Sequence, residues 1–280
     1  MSVNYNAKDH LQTRSIWLLS SLCRLHASAE MARVLILGGT GDAAELAAKV
    51  SVIPGFEVIT SLAGRTCQPS VSLETVRVGG FGGSSGLAAY LHEQHIDLLI
   101  DATHPFAAQI SWNAATAAKE VGIPHLMLVR PAWAKVAGDD WIEVESVEAA
   151  AAAIPATAQR VFLTIGRQQL APFVQLTKIW FLMRTIDPPA SDVAIPNGKL
   201  LFDRGPFSLE QERRLLQDYQ IDAIVSKNSG GDATYAKLVA ARELSIPVLI
   251  VKRPAMPTGE QVTDVVGALA WLKRLDDTSA

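Results

Sequence analysis

Gly39-Thr40-Gly41-Asp42-Ala43-Ala44 fits a GxGxxA pattern and follows directly on the apolar run Leu35-Ile36-Leu37-Gly38. Glycines here permit a tight turn and let backbone amides approach a pyrophosphate, while the following helix N-terminus adds partial positive charge. Gly38, Gly39, Thr40 and Gly41 are therefore candidate contacts to a dinucleotide. About twenty residues further on, where an NAD site places Asp or Glu against the ribose hydroxyls, the chain reads Thr60-Ser61-Leu62-Ala63-Gly64-Arg65. Glu57 falls too early in its strand to serve. A hydroxyl and a guanidinium suit a 2′-phosphate, which Arg can grip through two hydrogen bonds. Ser61 and Arg65 thus favour NADPH over NADH.

Two more stretches of the first half follow strands and open helices. Val78-Gly79-Gly80-Phe81-Gly82-Gly83 sets four glycines around one aromatic, so that Gly80, Phe81 and Gly82 can lie close to a flat ligand. Asp101-Ala102-Thr103-His104-Pro105-Phe106 places Thr103 near the cofactor, and His104 is a candidate proton shuttle. In the second half, Ser226-Lys227-Asn228-Ser229-Gly230-Gly231 forms a further anion-binding turn, ahead of a helix bearing Thr234, Tyr235 and Lys237. Arg184 ends one strand and Asp203-Arg204-Gly205-Pro206-Phe207 ends another. Arg184, Arg204, Lys227, Asn228, Ser229 and Gly230 together form a cationic set that suits a polycarboxylate substrate, with Lys227 as a second candidate for proton delivery. Each charge taken singly is equally compatible with an ordinary loop ion pair.

Bulk properties remove other classes. With 25 basic and 28 acidic residues, the net charge of −3 provides no basic field for nucleic acid. Apolar runs are strand-sized and broken by Gly, Pro or charge, so neither a membrane span nor a membrane partner is expected. Cys23 and Cys67 have no metal-ligand spacing, and His92 and His95 lack a third ligand, so no metal is expected. A short-chain dehydrogenase needs Tyr with Lys four residues on, and none of Tyr5, Tyr90, Tyr219 or Tyr235 has it. A non-catalytic NADP-sensing module and a different NADP-dependent reductase remain as alternatives. Residues 1–30 read as a leader or start-site extension, because Met31 stands immediately before the first strand and Ser20, Ser21 and Arg24 break the apolar stretch of an export signal. A cytoplasmic protein is expected.

Strand-like and helix-like runs alternate from Arg33 to Val251, which predicts an α/β fold of mostly parallel sheets covered on both faces. The order strand, helix, Ile-Pro, strand, Arg-Pro-Ala occurs at 96–132 and again at 221–255. This echo predicts two Rossmann-like lobes with a ligand cleft between them. The expected division is a dinucleotide-binding lobe at 31–150 and a substrate-binding lobe at 151–280, with the boundary near 145–160.

Six stretches, 37–40, 61–65, 79–83, 101–107, 204–207 and 226–231, together resemble the precorrin-6A reductase and cobalt-precorrin-6A reductase family of cobalamin biosynthesis. DATHPFA at 101–107 and SKNSGG at 226–231 are the distinctive ones, and the resemblance extends over roughly 33–272. The family's glycine turn often continues with a second Thr or Ser and an acidic residue, where this chain has Gly41 and Asp42. The resemblance implies hydride transfer from NADPH to one ring C=C bond of a tetrapyrrole, precorrin-6A or its cobalt form, giving precorrin-6B. It leaves NADH open for a form serving the cobalt route, and implies other corrin-pathway enzymes as candidate partners. His104, the Lys227 loop and water all remain open as the proton source.

Overall fold

The computed structural model describes residues 31–64 and 75–278. Arg65, both cysteines and the leader lie outside the described residues. The chain folds as two compact units, one formed by residues up to 129 together with 256 onward, the other by 130–255.

The first unit runs β1 (Ala32–Leu37), α1 (Gly41–Val50), β2 (Phe56–Leu62), β3 (Val76–Val78), α2 (Ser84–Glu93), β4 (Leu98–Asp101), α3 (Ala108–Val121) and β5 (His125–Leu128). The chain then leaves to build the second unit: β6 (Trp141–Val144), α4 (Val147–Ala153), β7 (Arg160–Thr164), β8 (Trp180–Thr185), β9 (Gly198–Phe202), α5 (Leu209–Asp218), β10 (Ala223–Lys227), α6 (Ala236–Glu243) and β11 (Val248–Val251). It returns to the first unit for β12 (Glu260–Val262) and α7 (Val265–Thr278). The described sheets are parallel throughout, with orders β12-β5-β4-β1-β2-β3 and β6-β11-β10-β7-β8-β9.

Both are doubly wound sheets; the second is built from the continuous stretch 130–255, while the first takes its sixth strand, β12, from the C-terminal segment. β6 follows β5 in the chain yet pairs with β11, while β12 follows β11 yet pairs with β5. The expected boundary near 145–160 is corrected by this exchange: the chain crosses at 129–130 and again at 255–256. Arg130-Pro131-Ala132 and Arg253-Pro254-Ala255, the internal echo of the sequence, mark the two crossings. β5 and β11 end at Leu128 and Val251, three residues short of prolines that have no N–H to add to a ladder.

The central strands explain their composition. Val34, Leu35 and Ile36 of β1 are fully buried, as a strand covered on both faces requires. α1 and α7 cover one face of the first sheet through Leu46, Ala47, Ala268 and Leu272. α2 and α3 cover the other through Leu87, Leu91, Ala114 and Ala117. The alanines let α3 lie close to the sheet. Among the described residues no helix is long and apolar enough to cross a membrane, and no group of three or more His, Cys, Asp or Glu is arranged to hold a metal.

Candidate functional site

The described candidate residues of the first unit gather along the carboxyl edge of its sheet. Thr40 is the N-cap of α1: its Oγ1 accepts from Ala43 N at 3.1 Å and donates to Ala102 O at 2.8 Å. This is the bond set that an N-cap hydroxyl is suited to make, and it ties the glycine turn to the Asp101–Phe106 loop. The hydroxyl expected to reach a phosphate is engaged by the protein instead, and Gly38 N is held by Ser61 O at 2.9 Å. Backbone is what the turn offers. Gly39 has φ +107°, which L side chains rarely adopt, and nothing lies within 4 Å of where its Cβ would be. Thr40 already takes Ala43 N and Ala44 N, while Gly41 N, at the first position of α1, has no intrahelical partner. Amides and helix dipole are thus what this turn can present to an anion, with Asp42 in the same turn competing for the dipole.

Beside the turn, Asp101 is 2% exposed, and its Oδ1 accepts from Thr103 N at 3.0 Å and Thr103 Oγ1 at 2.7 Å. Thr103 is thereby oriented by a buried carboxylate. His104 Nδ1 accepts from Phe106 N at 3.2 Å, which places the neutral ring's proton on Nε2. The neighbouring His125 is held below the ordinary imidazole value by burial, against the opposing pull of Asp101, so it stays neutral at pH 7.

At the outer strands the sequence reading missed an arginine. Ser61 is 5% exposed, so its hydroxyl is turned inward rather than open to a ligand, and Arg77 Nη1 lies 3.4 Å from its Oγ. Arg77 also donates from Nη1 to Gly79 O at 2.6 Å and from Nη2 to Gly80 O at 2.8 Å, with its guanidinium 3.8 Å from the Phe81 ring centroid. The loop carrying Gly80, Phe81 and Gly82 is thus organised by a side chain from β3. Its signal in the sequence was an arginine two residues before a glycine pair and four before an aromatic.

In the second unit the Ser226–Gly231 loop is held by two arginines from the chain crossings. Arg253 donates to Asn228 O at 2.9 Å, Arg130 O at 2.7 Å and Ser229 O at 3.0 Å, and Arg130 Nε donates to Ser229 O at 2.9 Å. Asn228 was expected on substrate, but its amide accepts from Trp133 N at 2.8 Å and donates to Trp133 O at 3.0 Å. A Cβ on Gly230 would sit 2.0 Å from Pro131 O, so only glycine permits the loop to pack this closely. Lys227 ends β10, with its carbonyl accepting from Ser229 N at 2.8 Å.

Arg184 was expected to meet a substrate carboxylate. Its side chain is 7% exposed and its Nη1 lies 2.7 Å from Oε1 of the 1%-exposed Glu212, an ion pair rather than an aligned hydrogen bond. The guanidinium stacks on Phe207 at 3.7 Å, so it acts beneath the surface instead of meeting a substrate carboxylate. Arg204 lies on the loop above, where its N–H donates to Asp203 Oδ1 at 2.8 Å, and Phe207 N ties that loop to Ala233 O at 3.1 Å. Lys237 completes the buried group. It is 3% exposed, donates to Thr234 O at 2.8 Å and lies 4.7 Å over the Trp133 ring. Burial first, and Arg184 second, push its ammonium down to about 7, against the opposing effect of Glu212.

A doubly wound sheet with a glycine turn and an N-capped helix after its first strand is the architecture of the dinucleotide-binding oxidoreductases. Comparison with known proteins narrows this to one family. Residues 33–273 match the model described as precorrin-6x reductase CbiJ/CobK. A precorrin-6A reductase from Rhodococcus erythropolis is 49% identical, the match spanning 88% of this chain and 99% of that protein. One from Rhodobacter capsulatus is 41% identical over 86% of this chain and 96% of its own length. The solved structure of CobK precorrin-6A reductase is 40% identical and superposes with a TM-score of 0.82, covering 88% of this chain and 97% of that one. The chain belongs to the precorrin-6x reductase family.

Proposed function

We propose that this chain reduces one ring C=C bond of precorrin-6A by hydride transfer from NADPH, in the pathway to the corrin ring. The observation that carries the reading is the N-capped glycine turn after β1, in a chain of this family. NADPH supplies the hydride, and the protein's part is to hold distance, face and protonation state. The Gly39–Gly41 backbone and the first turn of α1 bind the pyrophosphate. Absence of a carboxylate at the β2 end, together with Arg65, favours the 2′-phosphate form. Thr103, set by Asp101, lies on the same sheet edge and orients the cofactor. In the second unit Lys227, Ser229, Gly230 and Arg204 are the groups for the substrate's carboxylate arms. The proton that accompanies the hydride comes from His104, as an Nε2–H donor, from the Lys227 loop or from water.

The test is direct. Incubation with precorrin-6A and NADPH should consume the absorbance of reduced nicotinamide and add two hydrogens to the tetrapyrrole by mass. NADH should serve much less well. Absence of turnover with metal-free substrate, but turnover with the cobalt form, would move the chain to the cobalt route; absence with both overturns the reading.

A further inference from the structure

Arg77 has a geometry that exceeds what a loop clamp needs. A guanidinium carries five N–H donors. Among the described residues, Gly79 O and Ser61 Oγ take the Nη1 pair and Gly80 O takes one from Nη2. The Nε–H and the second Nη2–H have no partner among the described residues, and the side chain is half-buried. The group is fixed from below: its Cζ lies 3.8 Å from the centroid of Phe81 and 5.1 Å from that of Tyr90, and those two rings meet edge to face at 5.2 Å. Phe81 itself is fixed by α2, because a Cβ on Gly86 would fall 1.8 Å from Phe81 O. The Phe81 backbone thus rests closely on α2.

Its place in the sheet supplies the ligand. β3 pairs with the end of β2, with Ser61 opposite Arg77 and Leu62 opposite Val78. A dinucleotide whose pyrophosphate rests on the turn after β1 extends its adenosine toward the β2 end. Spare guanidinium donors there meet either a ribose hydroxyl or a phosphate on it, and the fork geometry of Arg matches the phosphate.

We infer that Arg77 is a specificity-determining residue of the cofactor site, its guanidinium binding the 2′-phosphate of the adenosine half from a platform built by Phe81 and Tyr90. This rests on the dinucleotide reading given above.

The experiment measures dissociation constants of NADPH and NADH, by fluorescence titration of the full chain without substrate, for wild type, Arg77→Met and Arg77→Lys. Wild type should favour NADPH. Arg77→Met should raise the NADPH constant ten- to hundredfold, the loss expected of one charge-assisted contact, and change the NADH constant less than threefold. Arg77→Lys keeps a cation but not the fork, and its preference for NADPH should fall between the two. A preserved preference in Arg77→Met, or equal weakening toward both nucleotides, overturns the role for Arg77 while the NADPH reading stands. A wild type with no preference overturns both. If Arg77→Met does not fold, the lysine variant decides: a preference ratio equal to that of wild type overturns the inference.

Discussion

Each unit lays an arginine over a phenylalanine near its outer strands, and the two stacks are built for different ends. Arg77 covers Phe81 at 3.8 Å, with neutral carbonyls as partners and part of the guanidinium in solvent. Arg184 covers Phe207 at 3.7 Å, sealed in, with Glu212 as counter-ion. A guanidinium paired with carbonyls keeps its full charge for a ligand, whereas one neutralised by a buried carboxylate has little left to offer. The turns after β1 and β7, the strands that hold the same place in the two sheet orders, differ in the same way. β1 leads into the ten-residue, N-capped α1, but β7 leads into two three-residue 3₁₀ turns, Arg167–Gln169 and Ala171–Phe173. One topology is therefore shared, and the chemistry lies in the turn that leaves each strand.

The sharpest way to break this contrast is to remove the counter-ion. Glu212→Ala leaves Arg184 and Lys237 buried together with no carboxylate, and should cost about 3–5 kcal/mol of unfolding free energy in urea. The same chain should then lose activity only in proportion to the folded fraction. A loss below about 1 kcal/mol would mean that water reaches the pair, and that the two stacks are more alike than their burial suggests.

Next in size is the arginine clamp. Arg253→Ala strands the carbonyls of Asn228, Arg130 and Ser229, and should cost about 2–4 kcal/mol by thermal or urea unfolding. Burial, and then neighbouring Arg130, pull Arg253 below the ordinary guanidinium value. A variant as stable as wild type but unable to bind substrate would reassign the clamp as a ligand site.

The same residues locate what the sequence could convey. The strand runs and glycine turns were legible because they depend on local pattern: the alternation read from Arg33 to Val251 is that of β1 to β11 with their helices. The exchange of β6 and β12 was not. Trp141-Ile142-Glu143-Val144 and Glu260-Gln261-Val262 are edge strands whose short, half-polar patterns fit either sheet, and partner choice is settled by where the chain crosses. Charges at strand ends were legible as positions but not as roles. Arg184 and Arg204 read alike until Glu212, distant in sequence, takes one of them. Asn228 read as a ligand group because its partner, the Trp133 backbone, carries no sequence signal at all. Arg77 went unread because a cation in a short strand resembles a solvated one.

A middle-sized effect separates the two glycine loops. Lys227→Ala should raise the Michaelis constant for the tetrapyrrole about tenfold, the equivalent of roughly 1.4 kcal/mol, while the NADPH dissociation constant stays within about twofold. If turnover falls as well, the lysine also acts in the reacting state. Collapse of NADPH binding with substrate binding preserved would reverse the assignment of ligands to units.

The smallest effect has a size that depends on pH. Lys237 is pushed down to about 7 in the folded chain, against about 10.4 for an unhindered lysine. Between those values the unfolded chain holds a proton that the native one has lost, so this residue makes stability rise with pH across roughly 7 to 10. Below about 7 both states are charged, and the cost of burying the ammonium is present in full. Lys237→Met keeps the volume and removes the charge, and the Arg184–Glu212 pair is left neutral overall. The variant should therefore be more stable than wild type by about 1 kcal/mol at pH 6, with the difference shrinking as pH approaches 10, read as paired melts across that range. Glu212 and Trp133 act in the opposite direction, since both favour the ammonium. A variant less stable than wild type at pH 6 would show that their attraction, with the bond to Thr234 O, exceeds the burial cost, and that the buried group is a mutually satisfied triad rather than an ion pair with a strained neighbour.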